Sequence, residues 1–271
     1  METRREFIKK ICLILSALAF RRDANAKETV KQIITEEVKS TVYRSVNGRS
    51  FENLLKVVDL MGGIEKIIGE DDVVLIKPNV QWWNQGVPNL AALKAFVDLV
   101  MDRSGGFFGE VVIAENTHRG SSPWKHAGWQ RGFDKNSDIE GINNYNDLGD
   151  HLKKNCDDRF SICHLIDVGA GNKRVFGPAD GTGYVYCDGT GGVPLIEFDN
   201  GAKGNEYRAV IMTYPIIKTD KGTIIDFKNG IWSKGAYTEQ ALKFINFAAL
   251  NHHKGRRGSG HWKKTGSRLE S

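Results

Sequence analysis

The chain has 271 residues, 40% of them hydrophobic, enough to fill the core of one large domain or two small ones and too regular a mixture for a fibrous or disordered protein. The formal charge of +5 is carried by the ends: residues 1–26 hold six Lys/Arg against three Asp/Glu, and residues 252–271 hold six against one. The body between them is slightly acidic, which argues against a nucleic-acid partner, because phosphate binding needs a basic face on the folded body.

The first stretch, METRREFIKKICLILSALAFRRDANAK, has a basic start, a ten-residue apolar run from Ile11 to Phe20, and Ala24-Asn25-Ala26 before Lys27. That order describes an export signal with an A-x-A cleavage site at Ala24 and Ala26, and the run is too short to span a bilayer. TRREFIKK resembles the twin-arginine signal pattern, with Arg4 and Arg5 as the pair and Phe7 and Ile8 in the apolar positions after it. The resemblance implies the twin-arginine translocation machinery as a partner and a periplasmic or otherwise extracytoplasmic destination. Such substrates travel folded, frequently with a metal or redox cofactor already loaded. The alternative is an amphipathic N-terminal helix that stays attached. Cleavage would remove Cys12 and leave Cys156, Cys163 and Cys187, room for one internal disulfide at most.

In the body, residues 40–46 alternate apolar and polar and predict a strand. A helix follows, with Phe51, Leu54, Leu55, Val58 and Leu60 as its stripe, Ser50 as cap and Gly62-Gly63 as break. VVLIKP (73–78) predicts a buried strand, NLAALKAFVDLVMDR a helix with Leu90, Leu93, Phe96, Val97 and Val100 on one face, and EVVIAEN (110–116) a second buried strand. A short helix is expected at 147–156 and a strand at 160–169. Turns joining short antiparallel strands should fill 180–201, another buried strand 207–218, and a last helix, capped by Thr238, residues 238–251. Strand, helix and strand with short connections imply an α/β fold: a mostly parallel sheet with helices on both faces, plus a small irregular antiparallel β insertion. The expected domain is 27–251. The basic Gly/Ser-rich tail, 252–271, reads as a solvated terminus or as the start of a further sheet-building segment.

In open parallel sheets the ligand crevice lies at the carboxyl ends of the strands. Lys77, Pro78 and Asn79 end the first strand, Glu115, Asn116, Thr117 and His118 the second, and Lys218, Thr219 and Asp220 the run at 207–218. If all three ends converge, Lys77, Asn79 and Lys218 would hold a small anionic substrate, with Glu115, His118 and Asp220 as acid–base groups or metal ligands. Each residue also has a plainer reading. Lys77 can mark the water boundary, Glu115 can cap a helix or pair with a lysine, and His118 can be a surface histidine. Trp82 and Trp83 can pack over the loop or offer a stacking surface.

VVLIKPNV, with Asn89 before a helix and EVVIAEN after it, resembles the DUF362 proteins, a prokaryotic family of uncharacterised function. The resemblance covers about residues 40–235. It implies that Lys77, Pro78 and Asn79 match a Lys-Pro-Asn strand end, that Lys218 and Thr219 match part of a Lys-Thr-His segment in which Asp220 replaces the His, and that Lys228, Asn229 and Gly230 match a Lys-Asn-Gly element. Lys228 and Asn229 thereby join the substrate-binding candidates. Many members look like iron-sulfur proteins, but the ferredoxin-type cysteine run is missing here, so that cofactor does not carry over and the cofactor stays unknown.

Other chemistry is poorly supplied. The glycine-rich stretch 181–192 has no helix after it to hold phosphate, Cys163 and His164 point to opposite faces of a strand, and G-x-S-x-G, H-E-x-x-H and the P-loop lysine motif do not occur. Two function classes remain: an exported, cofactor- or metal-dependent enzyme acting on a small anion, and a non-enzymatic exported ligand-binding or redox-accessory protein. A truncated reading frame that folds poorly is the third possibility. No segment after residue 26 is long and apolar enough for stable membrane insertion.

The export reading predicts that the secreted chain begins at Lys27, as read by N-terminal sequencing. Replacing both Arg4 and Arg5 by Lys should leave a full-length precursor inside the cell; secretion of the double variant at the wild-type level would refute the twin-arginine route.

Overall fold

In a computed structural model the described residues are 41–80, 87–117, 129, 137–166, 173–199 and 209–249. Arg4, Arg5, Ala24 and Ala26, expected to form an export signal, as well as Trp82, Trp83, His118 and the tail, lie outside them.

The core is built around Val73, Val74, Leu75 and Ile76, all but excluded from solvent. They belong to β1 (Val73–Pro78), an interior strand of a four-stranded sheet. β2 (Glu110–Thr117) pairs parallel with it on one side and β11 (Leu242–Phe247) parallel on the other, while β3 (Phe160–Ile166) pairs parallel with β2. Because side chains alternate along a strand, β1 faces two different layers. Val74 and Ile76 join Val111, Ile113, Phe160 and the helices in one cluster. Val73 and Leu75 join Val112, Ala114, Ile217, Ile225 and Ile231 in another.

The helical layer consists of α1 (Ser50–Leu60), the single turn α2 (Ile64–Ile67), α3 (Leu90–Met101) and α4 (Tyr145–Asn155). α3 buries the whole predicted stripe of Leu90, Leu93, Phe96, Val97 and Val100. α1 is more peripheral: Val58 is buried, but Leu55 and Leu60 are exposed. Its N-cap is Arg49, one residue before the predicted Ser50, and the Arg49 amide donates to Glu52 Oε2 at 2.9 Å.

The second layer departs from expectation. The α/β class and the parallel sheet stand, but the face opposite the described helices is covered by an antiparallel sheet in the order β10, β9, β8, β7, β4. Its strands are β4 (Gly183–Tyr186), β7 (Thr213–Lys218), β8 (Ile224–Asp226), β9 (Gly230–Ser233) and β10 (Ala236–Tyr237). β5 (Glu197–Asp199) and β6 (Ala209–Ile211) form a separate exposed ribbon. The predicted strand at 207–218 is therefore two strands broken at Met212, and its longer half belongs to the antiparallel sheet.

Two further expectations fail for one reason, namely that strand formation depends on a partner. Residues 41–46 have no regular structure despite their alternation, and Val42, Tyr43 and Val46 stay exposed. Residues 242–247, read as helix, instead complete the parallel sheet, with Leu242 opposite Val73 and Phe247 opposite Pro78. The backbone edge of β1 needs hydrogen-bond partners, and aromatic and β-branched Phe244, Ile245 and Phe247 suit a strand once packing overrides local helix propensity.

The turn before β2 passes so close to the start of β1 that Gly109 has no room for a side chain: a Cβ there would collide with the Asp72 carbonyl oxygen. Gly109→Ala should destabilise the fold by about 1–3 kcal/mol through this overpacking, read from urea midpoints; an unchanged midpoint would mean that the turn is free to shift.

Candidate functional site

β1 stays paired with β11 as far as Pro78 but with β2 only as far as Ile76 and Ile113. The two central strands part at Lys77, where proline also removes a backbone donor. Across this opening Lys77 Nζ donates to Glu115 Oε2 at 2.8 Å. The pair is asymmetric, the lysine side chain being 41% exposed and the glutamate 1%. A carboxylate so completely removed from water needs such a partner, because an unpaired buried charge is far more costly than a paired one. Asn79 follows at the same edge, partly buried.

β3 brings the next group. His164 is the registered partner of Glu115 in the parallel pairing, so the two side chains leave the same face of neighbouring strands about 4.8 Å apart. The imidazole ring lies 4.3 Å from the Trp129 ring, and His164 Nε2 is 3.0 Å from Asn146 Oδ1. An amide oxygen only accepts, so this bond places a proton on Nε2. Burial, helped by the charge of Lys153, lowers the His164 pKa to about 4, so the imidazole is neutral at pH 7.

The first turn of α4 supplies the rest. Asn144 caps the helix by accepting from the Asp147 amide at 2.9 Å. Fully buried Tyr145 donates its hydroxyl to the Pro88 carbonyl at 3.0 Å, next to Asn89, which caps α3 by accepting from the Ala92 amide at 3.1 Å. Burial, and after it the charge of Glu115, hold the Tyr145 phenol well above its ordinary pKa and therefore protonated. Trp129 meets Tyr145 edge-on at 6.0 Å between centroids. The carboxyl edge of the sheet thus gathers an ion pair, a neutral imidazole, a phenol and an indole beside the amino ends of two helices.

The other candidates are elsewhere. The turn after β7 lies at the opposite, amino edge of the parallel sheet: the Asp220 amide donates to Ser161 Oγ at 3.1 Å, and Lys221 Nζ to the Gly109 carbonyl at 3.3 Å. Glu115 is five residues along β2 from Glu110, about 16 Å of strand. Lys218 and Asp220 therefore do not converge with Lys77 and Glu115, and Asp220 forms an ion pair with Lys153 at 2.6 Å. The cause is the direction of β7, which runs in the antiparallel sheet. Lys228 and Asn229 sit in the β8–β9 hairpin turn. There fully buried Asp226 accepts from both their amides, at 2.8 and 2.9 Å, and from Asn229 Nδ2 at 2.9 Å and the Tyr237 hydroxyl at 2.6 Å. The Asn229 side chain is occupied with this knot, and Lys228 Nζ lies over the Tyr214 ring. His118 falls outside the described residues.

Sequence reasoning missed His164, Tyr145 and Trp129 as members of the site. It placed Cys163 and His164 on opposite faces, as they are, with Cys163 packed toward the antiparallel sheet. The usable signal was register: aligning FSICHLI with VVIAENT from their first residues sets His164 beside Glu115. Among the described residues no group of three or more His, Cys, Asp or Glu is placed to hold a metal ion. Glu115 and Asp220, at opposite edges, cannot share one. Among the described residues no helix is long and apolar enough to cross a membrane, and Cys156, Cys163 and Cys187 are all unbridged.

Comparison with protein-family models, with curated proteins and with solved structures finds no match to this chain.

The depressed His164 pKa makes a pH prediction. Between pH 6.5 and 4 the unfolded chain takes up a proton that the folded one refuses, so this contribution is present above pH 6.5 and is lost as pH falls toward 4. Solvent that reaches the half-buried ring keeps the contribution below the full value of such a shift. Urea midpoints of wild type and His164→Gln at pH 7 and 4.5 should show the variant losing less stability on acidification; equal losses would contradict the buried neutral imidazole.

Proposed function

We propose that the chain is an exported protein of the DUF362 type that holds a small oxyanion, a carboxylate or phosphate, at the carboxyl edge of its parallel sheet. The observation that carries this reading is the Lys77–Glu115 pair, which sets a half-exposed ammonium over a buried carboxylate where β1 and β2 part. An ammonium has three donors, and the bond to Glu115 uses one. The amino ends of α3 and α4, on the same side, add partial positive charge. Glu115 fixes Lys77 in place and lowers the net charge of the site, which favours a ligand of low charge.

The adjacency of Glu115 and His164 supports a second reading of the same site, in which the ligand is turned over. A carboxylate and a neutral imidazole on one face can pass a proton to or from a bound molecule, and Lys77 would stabilise negative charge as it develops. A binding protein needs only the first reading.

The test titrates the full chain with inorganic phosphate and with acetate, following calorimetry and melting temperature. Lys77→Met should weaken the bound anion at least tenfold and, by stranding the Glu115 carboxylate, destabilise the protein by about 2 kcal/mol. Glu115→Gln should tighten anion binding, because it removes the competing negative charge. Adding it to Lys77→Met should restore part of the lost stability. Unchanged affinity and unchanged stability in Lys77→Met would remove the site from consideration.

A further inference from the structure

Buried polar atoms in a folded chain nearly always have partners, so those without one repay inspection. Among the described residues, Arg103 Nε, Glu110 Oε2 and Trp129 Nε1 are buried and unpaired. Arg103 is otherwise engaged, donating through Nη1 to the Gly106 carbonyl at 2.8 Å in a tight turn. Glu110 belongs to the clamp between the sheets, where Oε1 accepts from Ser161 Oγ at 2.6 Å and the same serine accepts from the Asp220 amide. Neither lies beside other groups that suit a ligand. Trp129 does.

Its indole is fully excluded from solvent, so bulk water does not satisfy the N–H. Its ring is wedged between His164 at 4.3 Å and Tyr145 at 6.0 Å; His164 is the registered strand partner of Glu115, and the Tyr145 phenol feels the Glu115 charge. An indole N–H only donates. The group that completes it must therefore bring an acceptor atom, and an oxyanion is the strongest acceptor class. We propose that the Trp129 indole N–H is a binding donor of this site, hydrogen-bonding an oxygen of the small oxyanion that Lys77 attracts.

This inference rests on the oxyanion reading above and deepens it by assigning a residue that selects for an acceptor. Lys77 supplies attraction that any nearby anion feels. Trp129 supplies a directed, desolvated donor that is left unpaired by a ligand without a correctly placed oxygen. A site built to hydrogen-bond its ligand discriminates strongly against analogues lacking the matching atom, because the buried group is then left bare. The packing of the Trp129 ring against His164 holds the donor in one orientation.

The experiment uses the full chain, isotopically labelled at tryptophan indole nitrogen, with inorganic phosphate and acetate as probes. The spectrum of Trp129→Phe identifies the Trp129 resonance by its disappearance. In the wild type, saturating probe should move that resonance downfield as a new hydrogen bond forms, while Trp232, away on β9, stays in place. Trp129→Phe, which keeps an aromatic ring and loses the donor, should bind the same probe at least fivefold more weakly, with Lys77→Met weakened as well. A wild-type protein that binds the probe in a Lys77-dependent way, with an unmoved Trp129 resonance, overturns the role of the indole and leaves the oxyanion site standing. Absence of binding of either probe to the wild type overturns both. The wild-type spectrum decides the matter even if Trp129→Phe folds poorly.

Discussion

Everything in this fold depends on β1 being buried from both sides. Four consecutive residues, Val73–Ile76, lose essentially all contact with water, and each such aliphatic side chain contributes roughly 1.5–3 kcal/mol by burial. Double-sided burial requires two covering layers and two flanking strands. The helices supply one layer and β7–β9 the other, while β2 and β11 satisfy the backbone. Because β11 lies 169 residues after β1 in sequence, counting from Val73 to Leu242, the central strand is completed only when distant chain returns. Closing such a loop is entropically costly before the contacts are made.

That same burial determines the chemistry at the strand's end. A continuous apolar strand must stop where the core stops, and here it stops at Lys77, beside a glutamate that β2 carries deeper, out of contact with water. In so dry a place charge survives only when paired, and histidine stays neutral. The ion pair of Lys77 and Glu115, the depressed pKa of His164 and the raised pKa of Tyr145 are thus three outcomes of one desolvated environment.

Local pattern made much of this fold legible. Continuous apolar runs marked β1 and β2, an apolar-rich stretch marked β3, a helical stripe with Asn89 ahead of it marked α3, and Lys77 and Glu115 stood out as polar residues closing apolar strands. What local pattern does not carry is pairing. Whether 41–46 finds a partner, whether Leu242–Phe247 is drawn onto the edge of β1, and whether the run ending in Lys218 is parallel or antiparallel are all decided by distant segments. The misplacement of Lys218 and Asp220 follows from the last of these, since a strand's carboxyl end lies at the ligand edge only if the strand runs with the others. His164 was hidden for a related reason: its importance lies in being level with Glu115, and that is a property of two strands together.

Polar residues at the two ends of the parallel sheet differ in what their hydrogen bonds hold. At the amino edge, Ser161 donates to Glu110 and accepts from the Asp220 amide, and so ties the β7–β8 turn to the sheet. In the hairpin after β8, Asp226 accepts four hydrogen bonds from groups within eleven residues of chain. Both sets hold backbone in place, and the Asp226 set is closed locally, so that Lys228 and Asn229 have a full structural explanation. At the carboxyl edge the groups come from β1, β2, β3, α4 and Trp129, and they fix side chains more than backbone. Rigid placement of unlike groups, an ammonium, a carboxylate, an imidazole and an indole donor, is useful to a ligand and does little for a turn. The distinction between clamp and proposed site in this protein therefore lies less in residue type than in what the hydrogen bonds hold: backbone in the clamps, side chains from separate elements at the proposed site.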